Sequence, residues 1–71
     1  MRSMEYVVIL ERGEASFGAY VPDLPGCVAV GETKEEVLAL IREAIELHIE
    51  ELRKSGLPVP VPSSSTELVR V

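Results

Sequence analysis

Tryptophan, asparagine and glutamine are absent from the 71 residues, and cysteine, histidine, phenylalanine and aspartate occur once each. A lone Cys27 cannot close an internal disulfide or build a cysteine cage for a metal, so a disulfide-stapled secreted miniprotein is excluded. The aromatic residues are Tyr6, Phe17 and Tyr20, too few to offer a stacking platform for bases. Basic residues are also scarce: 7 Lys and Arg stand against 12 Asp and Glu, for a net charge of -5. Phosphate backbones attract Lys and Arg, so direct nucleic-acid binding is not expected. No apolar run approaches the roughly 20 residues of a transmembrane helix. The N-terminal stretch lacks an apolar signal core and a cleavage site, which points to a cytoplasmic protein without a signal peptide. Loss of the thermolabile amides is a habit of thermophiles.

What is present suffices for one small domain over residues 1–71. Hydrophobic residues make up 46% of the chain and charged residues 27%, a composition that can build a core. A chain this short leaves much of its surface wet, so association with another chain is expected.

The pattern along the chain reads β-β-β-α-β. Residues 4–10 carry the β-branched run Val7-Val8-Ile9 and predict a first strand. A polar break at 11–15, with Gly13 able to take positive φ, predicts a hairpin turn. Residues 16–21 alternate, with Phe17, Ala19 and Val21 on one face. Pro22 ends that strand, and Pro25-Gly26 suits the centre of a type II turn, with Asp23 beside it. A third strand is expected over 27–31.

A helix is expected over 34–55. Thr33 and Glu36 have capping-box spacing: the Thr33 hydroxyl accepts from the Glu36 amide, and the Glu36 carboxylate reaches back to the Thr33 amide. Gly56 suits the residue after the helix, and Pro58 prevents continuation. Placed at about 100° per residue, the helix has an apolar sector of roughly 200°, wider than one sheet needs to cover. Leu40 and Leu47 form one flank, and His48 lies about 20° from the middle of the sector. A second chain is expected against that flank, with Leu40, Leu47 and His48 as oligomer-interface residues. After the helix, 57–62 alternates Pro with apolar residues and should run extended as a connector. Residues 63–66 read as a flexible hinge and 67–71 as a final strand.

Chemical machinery is sparse. The carboxylates lie at strand ends or on the solvated helix face, with no convergence for two-carboxylate or metal-nuclease chemistry. Cys27 and His48 are the one thiol–base combination; Cys27 reads as a small core residue and His48 as a half-buried histidine. No phosphate-binding glycine loop and no metal-ligand spacing is present, so no catalytic residue, cofactor or metal is assigned.

The series Ala19-Tyr20-Val21-Pro22-Asp23-Leu24-Pro25-Gly26-Cys27, Gly31-Glu32-Thr33-Lys34-Glu35-Glu36, Ala44-Ile45-Glu46-Leu47-His48-Ile49-Glu50 and Leu57-Pro58-Val59-Pro60 resembles the bacterial HicB-like antitoxin family over residues 4–71. The resemblance implies an α+β fold, a small antiparallel sheet packed on one long helix, similar to a truncated ribonuclease H-like unit without its catalytic groups. It implies a partner: a small basic HicA-like toxin that cleaves messenger RNA and is masked by the antitoxin. The matching positions Pro22, Asp23, Pro25, Gly26, Thr33, Glu36, Gly56 and Pro58 read as turn, cap and helix stop. Many family members continue into a DNA-binding domain; here nothing follows Val71, so autorepression is not expected of this chain.

The expected function is therefore a toxin-masking protein, not an enzyme, acting as a homodimer or tetramer. The alternative is a small oligomeric structural or regulatory protein of the same fold without a toxin.

Overall fold

The computed structural model describes residues 4–71; the N-terminal reading above rests partly on residues 1–3, which lie outside them. Three strands precede one long helix: β1 (Ile9–Arg12), β2 (Phe17–Tyr20), β3 (Val28–Gly31) and α1 (Lys34–Lys54). The strands form one antiparallel sheet in the order β1-β2-β3. Ile9 stands opposite Tyr20, which stands opposite Val28; Leu10, Ala19 and Ala29 form the next row. The helix lies over β2 and β3.

Several expectations are corrected. The first strand does not begin at residue 4: 4–8 carry no ladder, and pairing starts at Ile9. The β1–β2 turn closes through the Gly13 N–H to the Ser16 carbonyl, 2.8 Å, without positive φ at Gly13. The expected strand over 67–71 does not form, and those residues are exposed. Its β-branched residues favour strand geometry, but a strand exists only with a neighbour to satisfy its backbone groups. The α+β class stands, with three strands and one helix.

The helix ends match the residues that code for them. The Thr33 hydroxyl accepts from the Glu36 N–H at 3.0 Å. The return half of the capping box is displaced by one residue: the Glu36 carboxylate accepts from the Glu32 N–H at 2.9 Å. At the other end Gly56 has φ +70°, the Gly56 N–H reaches the Arg53 carbonyl and the Leu57 N–H reaches the Leu52 carbonyl. These are the paired bonds of a Schellman motif, which satisfies the last carbonyls of the helix.

The core consists of Ala19, Val21, Leu24, Cys27, Val37 and Ile41. Leu24, in the β2–β3 loop, is fully buried. Three backbone bonds make that loop a plug. Val21 N–H to Cys27 carbonyl, 3.2 Å, closes its neck; Leu24 N–H to Val21 carbonyl, 3.1 Å, and Cys27 N–H to Leu24 carbonyl, 3.0 Å, form two successive turns. Gly26 at φ +86° occupies the position a type II turn reserves for glycine. Gly31 is the tight crossing between sheet and helix: a Cβ there would lie 3.0 Å from the Val37 nitrogen.

Candidate partner-binding surfaces

Strand and helix lengths decide where surfaces are left open. Four-residue strands are about 13 Å long, whereas the 21-residue helix is about 31 Å. The N-terminal half of α1 therefore covers the sheet and the C-terminal half projects past it. Val37 and Ile41, both in the first half, are the buried helix residues. Beyond them Ala44, Ile45, His48, Ile49 and Leu52 are half-buried although they continue the same face.

The returning connector gives the overhang a partial floor. Val59, Pro60 and Pro62 are half-buried, and the Tyr6 hydroxyl donates to the Pro60 carbonyl. Partial burial, then the nearby Asp23 charge, push the Tyr6 phenol up, with Arg53 opposing. Further along, Asp23 binds the chain a second time. Its carboxylate accepts from the Ser63 and Ser64 N–H groups at 2.9 and 3.0 Å, and from their hydroxyls at 3.1 and 2.8 Å. These donors, led by the Ser64 and Ser63 amides, hold the Asp23 carboxyl down to about 2. Hydrogen bonds to the ionised form stabilise that form. The expected hinge at 63–66 is thus clamped at its first two residues, and Asp23, read from sequence as a turn residue, joins two parts of the chain 40 positions apart.

One flank of the overhang is a groove. Met4, Tyr6, Arg42, Ile45, Glu46 and Ile49 line a depression of about 320 Å³. A second, of about 480 Å³, shares Glu46 and Ile49 and continues to Glu50, Arg53 and Lys54. Its rim mixes both signs, with Arg42, Arg53 and Lys54 against Glu46 and Glu50. Arg42 and Glu46 approach to 4.0 Å, and Lys54 and Glu50 to 3.2 Å, as exposed i,i+4 pairs. Such a rim offers little net field to a charged ligand.

The adjoining flank differs. Glu36, Leu40, Glu43, Leu47 and Glu51 follow one another at spacings of three or four residues, so they form one stripe along the helix, which Lys54 closes at the next step of three. All five are exposed, Leu40 at 40% and Leu47 at 56%. Leucines framed by carboxylates make a surface that combines apolar contact with attraction for a cation-rich partner. Sequence reading found the two leucines but not their alternation with glutamates, although the spacing carried that signal. His48 is half-buried on the inner side of the overhang, away from this stripe.

The remaining named residues are architectural in position. Pro22 and Pro25 are exposed in the loop around buried Leu24; Thr33, Glu36 and Gly56 terminate the helix; Pro58 follows it. Cys27 is buried in the core, and burial pushes its thiol up, away from the reactive thiolate. Among the described residues, no three His, Cys, Asp or Glu side chains are grouped to hold a metal ion. No helix of the described residues is long and apolar enough to cross a membrane.

Comparison with known proteins adds a family. The HicB-like antitoxins of bacterial toxin–antitoxin systems match residues 6–70. A UPF0150 protein of Thermoplasma acidophilum is 43% identical over 58 residues, which cover 80% of this chain and 84% of that protein. A UPF0150 protein of Synechocystis is 45% identical over 56 residues, 78% of this chain and 71% of that protein. A protein of Photorhabdus laumondii named Antitoxin HicB 2 is 29% identical over 66 residues, 93% of this chain but 48% of that protein. No solved structure matches.

Proposed function

Because the chain belongs to the HicB-like antitoxin family, we propose that it is the protein-binding antitoxin of a pair, masking a small basic HicA-like ribonuclease by occlusion and performing no catalysis itself. The observation that carries the reading beyond the family is the Glu36–Leu40–Glu43–Leu47–Glu51 stripe, an exposed apolar ladder in an acidic frame. A ribonuclease that binds RNA presents Lys and Arg, and a surface of opposite charge both steers association and competes with the RNA phosphates. Two copies of this acidic chain meeting at the stripe would instead set carboxylates against carboxylates. The leucines assigned from sequence to an oligomer interface are therefore better suited to the basic partner.

The supporting experiment is co-expression with a HicA-like toxin, followed by affinity purification and a messenger-RNA cleavage assay. The expected result is a co-purifying complex with cleavage suppressed, and loss of both on Leu47→Glu with the helix content of the free protein unchanged. Failure to co-purify while the toxin stays active would defeat the proposal and favour a structural or regulatory protein without a toxin.

A further inference from the structure

Residues 67–71, Glu-Leu-Val-Arg-Val, leave the domain unaccompanied. Leu68 and Val71 are fully exposed, and Val69 is 80% exposed. Polar, mobile termini are ordinary; a segment of alternating β-formers with its apolar side chains wholly in water is not. The Asp23 clamp fixes the root of this segment at Ser63 and Ser64, beside the β2–β3 loop.

The sheet has two free edges, and they are unlike. β1 ends in Glu11 and Arg12, with Glu14 in the adjoining turn, and such charges discourage a further strand. β3 reads Val-Ala-Val-Gly and carries no charge at all. Val28 and Val30 lie on the sheet face away from the helix, 64% and 67% exposed. An uncharged, unpaired edge strand with outward valines is a template for another strand.

We infer that residues 67–71 of one copy add as a fourth strand to the β3 edge of a second copy, and that the exchange is reciprocal. Strand addition satisfies the backbone groups of both the tail and β3. With the side-chain period of 2, Val69 and Val71 align on one face and extend the valine row begun by Val28 and Val30. Charge permits the encounter: the tail holds one Glu and one Arg, and β3 holds neither, so the net charge of -5 is carried elsewhere on each chain. Reciprocal exchange is an isologous, closed arrangement, and it supplies the association that so small a core calls for.

Light scattering on the full chain between about 10 and 200 μM tests this. The expected result is twice the protomer mass. A chain ending at Thr66, which keeps the Asp23 clamp, is expected to run as a monomer with unchanged helix content. Val30→Lys, which leaves the tail intact, is expected to do the same. Amide hydrogen exchange should show β3 protection in the full chain falling at least tenfold in the shortened one. A monomeric full chain, or a dimer that survives removal of 67–71, would overturn the inference.

Discussion

The two halves of helix α1 have similar sequences and unlike fates. The first half places Val37 and Ile41 on the sheet, where both are buried. The second half continues the same apolar face with Ile45, His48, Ile49 and Leu52, yet none of these is buried. Composition does not separate the halves; sheet length does. Strands of four residues end before the helix does, so equal hydrophobicity is fully buried in one half and half-buried in the other. The lesson is that an amphipathic stripe reports what a helix is able to bury, and the neighbouring elements decide what it does bury. The flank that neither the sheet nor the connector covers, with Leu40 and Leu47 exposed, is free to recognise something else.

The largest expected contrast is between core and overhang. Ile41→Ala and Leu24→Ala should each cost about 2–5 kcal/mol, a large fraction of the stability of so small a domain, whereas Ile49→Ala should cost under about 1.5 kcal/mol. Urea titrations followed by circular dichroism measure all three. Equal losses at residues 41 and 49 would erase the distinction.

The junction that delivers the first half to the sheet comes next. Gly31→Ala would put a methyl 3.0 Å from the Val37 nitrogen and 3.2 Å from its Cα. Backbone must shift to admit it, at a cost of roughly 1–3 kcal/mol. Thr33→Ala removes the cap at the same end and should cost about 1 kcal/mol. Both are read as shifts in the unfolding midpoint. The overhang offers the counterpart: Glu50→Gln, which breaks an exposed pair with Lys54, should change stability by less than about 0.5 kcal/mol.

Acid should act on the connector beneath the overhang. Asp23 is held from 3.8 down to about 2 by the Ser63 and Ser64 donors. A carboxyl whose folded value is depressed contributes fully above its unfolded value and loses that contribution as pH falls through the folded one. The clamp should hold above pH 4 and release as pH approaches 2. The Ser63 and Ser64 amide resonances followed by NMR should move over that interval, and Asp23→Asn should flatten the response. Movement centred above pH 4 would show that Asp23 is not the group responsible.

Local signals were legible in the sequence wherever a few adjacent residues suffice. The Thr33 cap, the Gly56 stop, the type II turn at Pro25-Gly26 and the alternation of Phe17, Ala19 and Val21 all act within one turn or one strand. The acidic frame around Leu40 and Leu47 was also present, at helical spacing, but was separated into an apolar flank and a solvated face. The Asp23 clamp was not legible, because nothing local links residue 23 to residues 63 and 64. Nor was Leu24, which looks like a loop residue until its loop is closed by the Val21–Cys27 bond.

By itself, then, the sequence determined three strands and a helix in that order, the ends of the helix, the acid excess and the family pattern, since each follows from local backbone preference or composition. Tertiary structure alone decided that pairing is confined to four residues of each strand, that a proline-bounded loop supplies a core leucine, that the connector is tied down by one aspartate, and that 67–71 pairs with no strand among the described residues. These depend on contacts between distant residues, whose loop-closure entropy is offset only when the whole domain assembles.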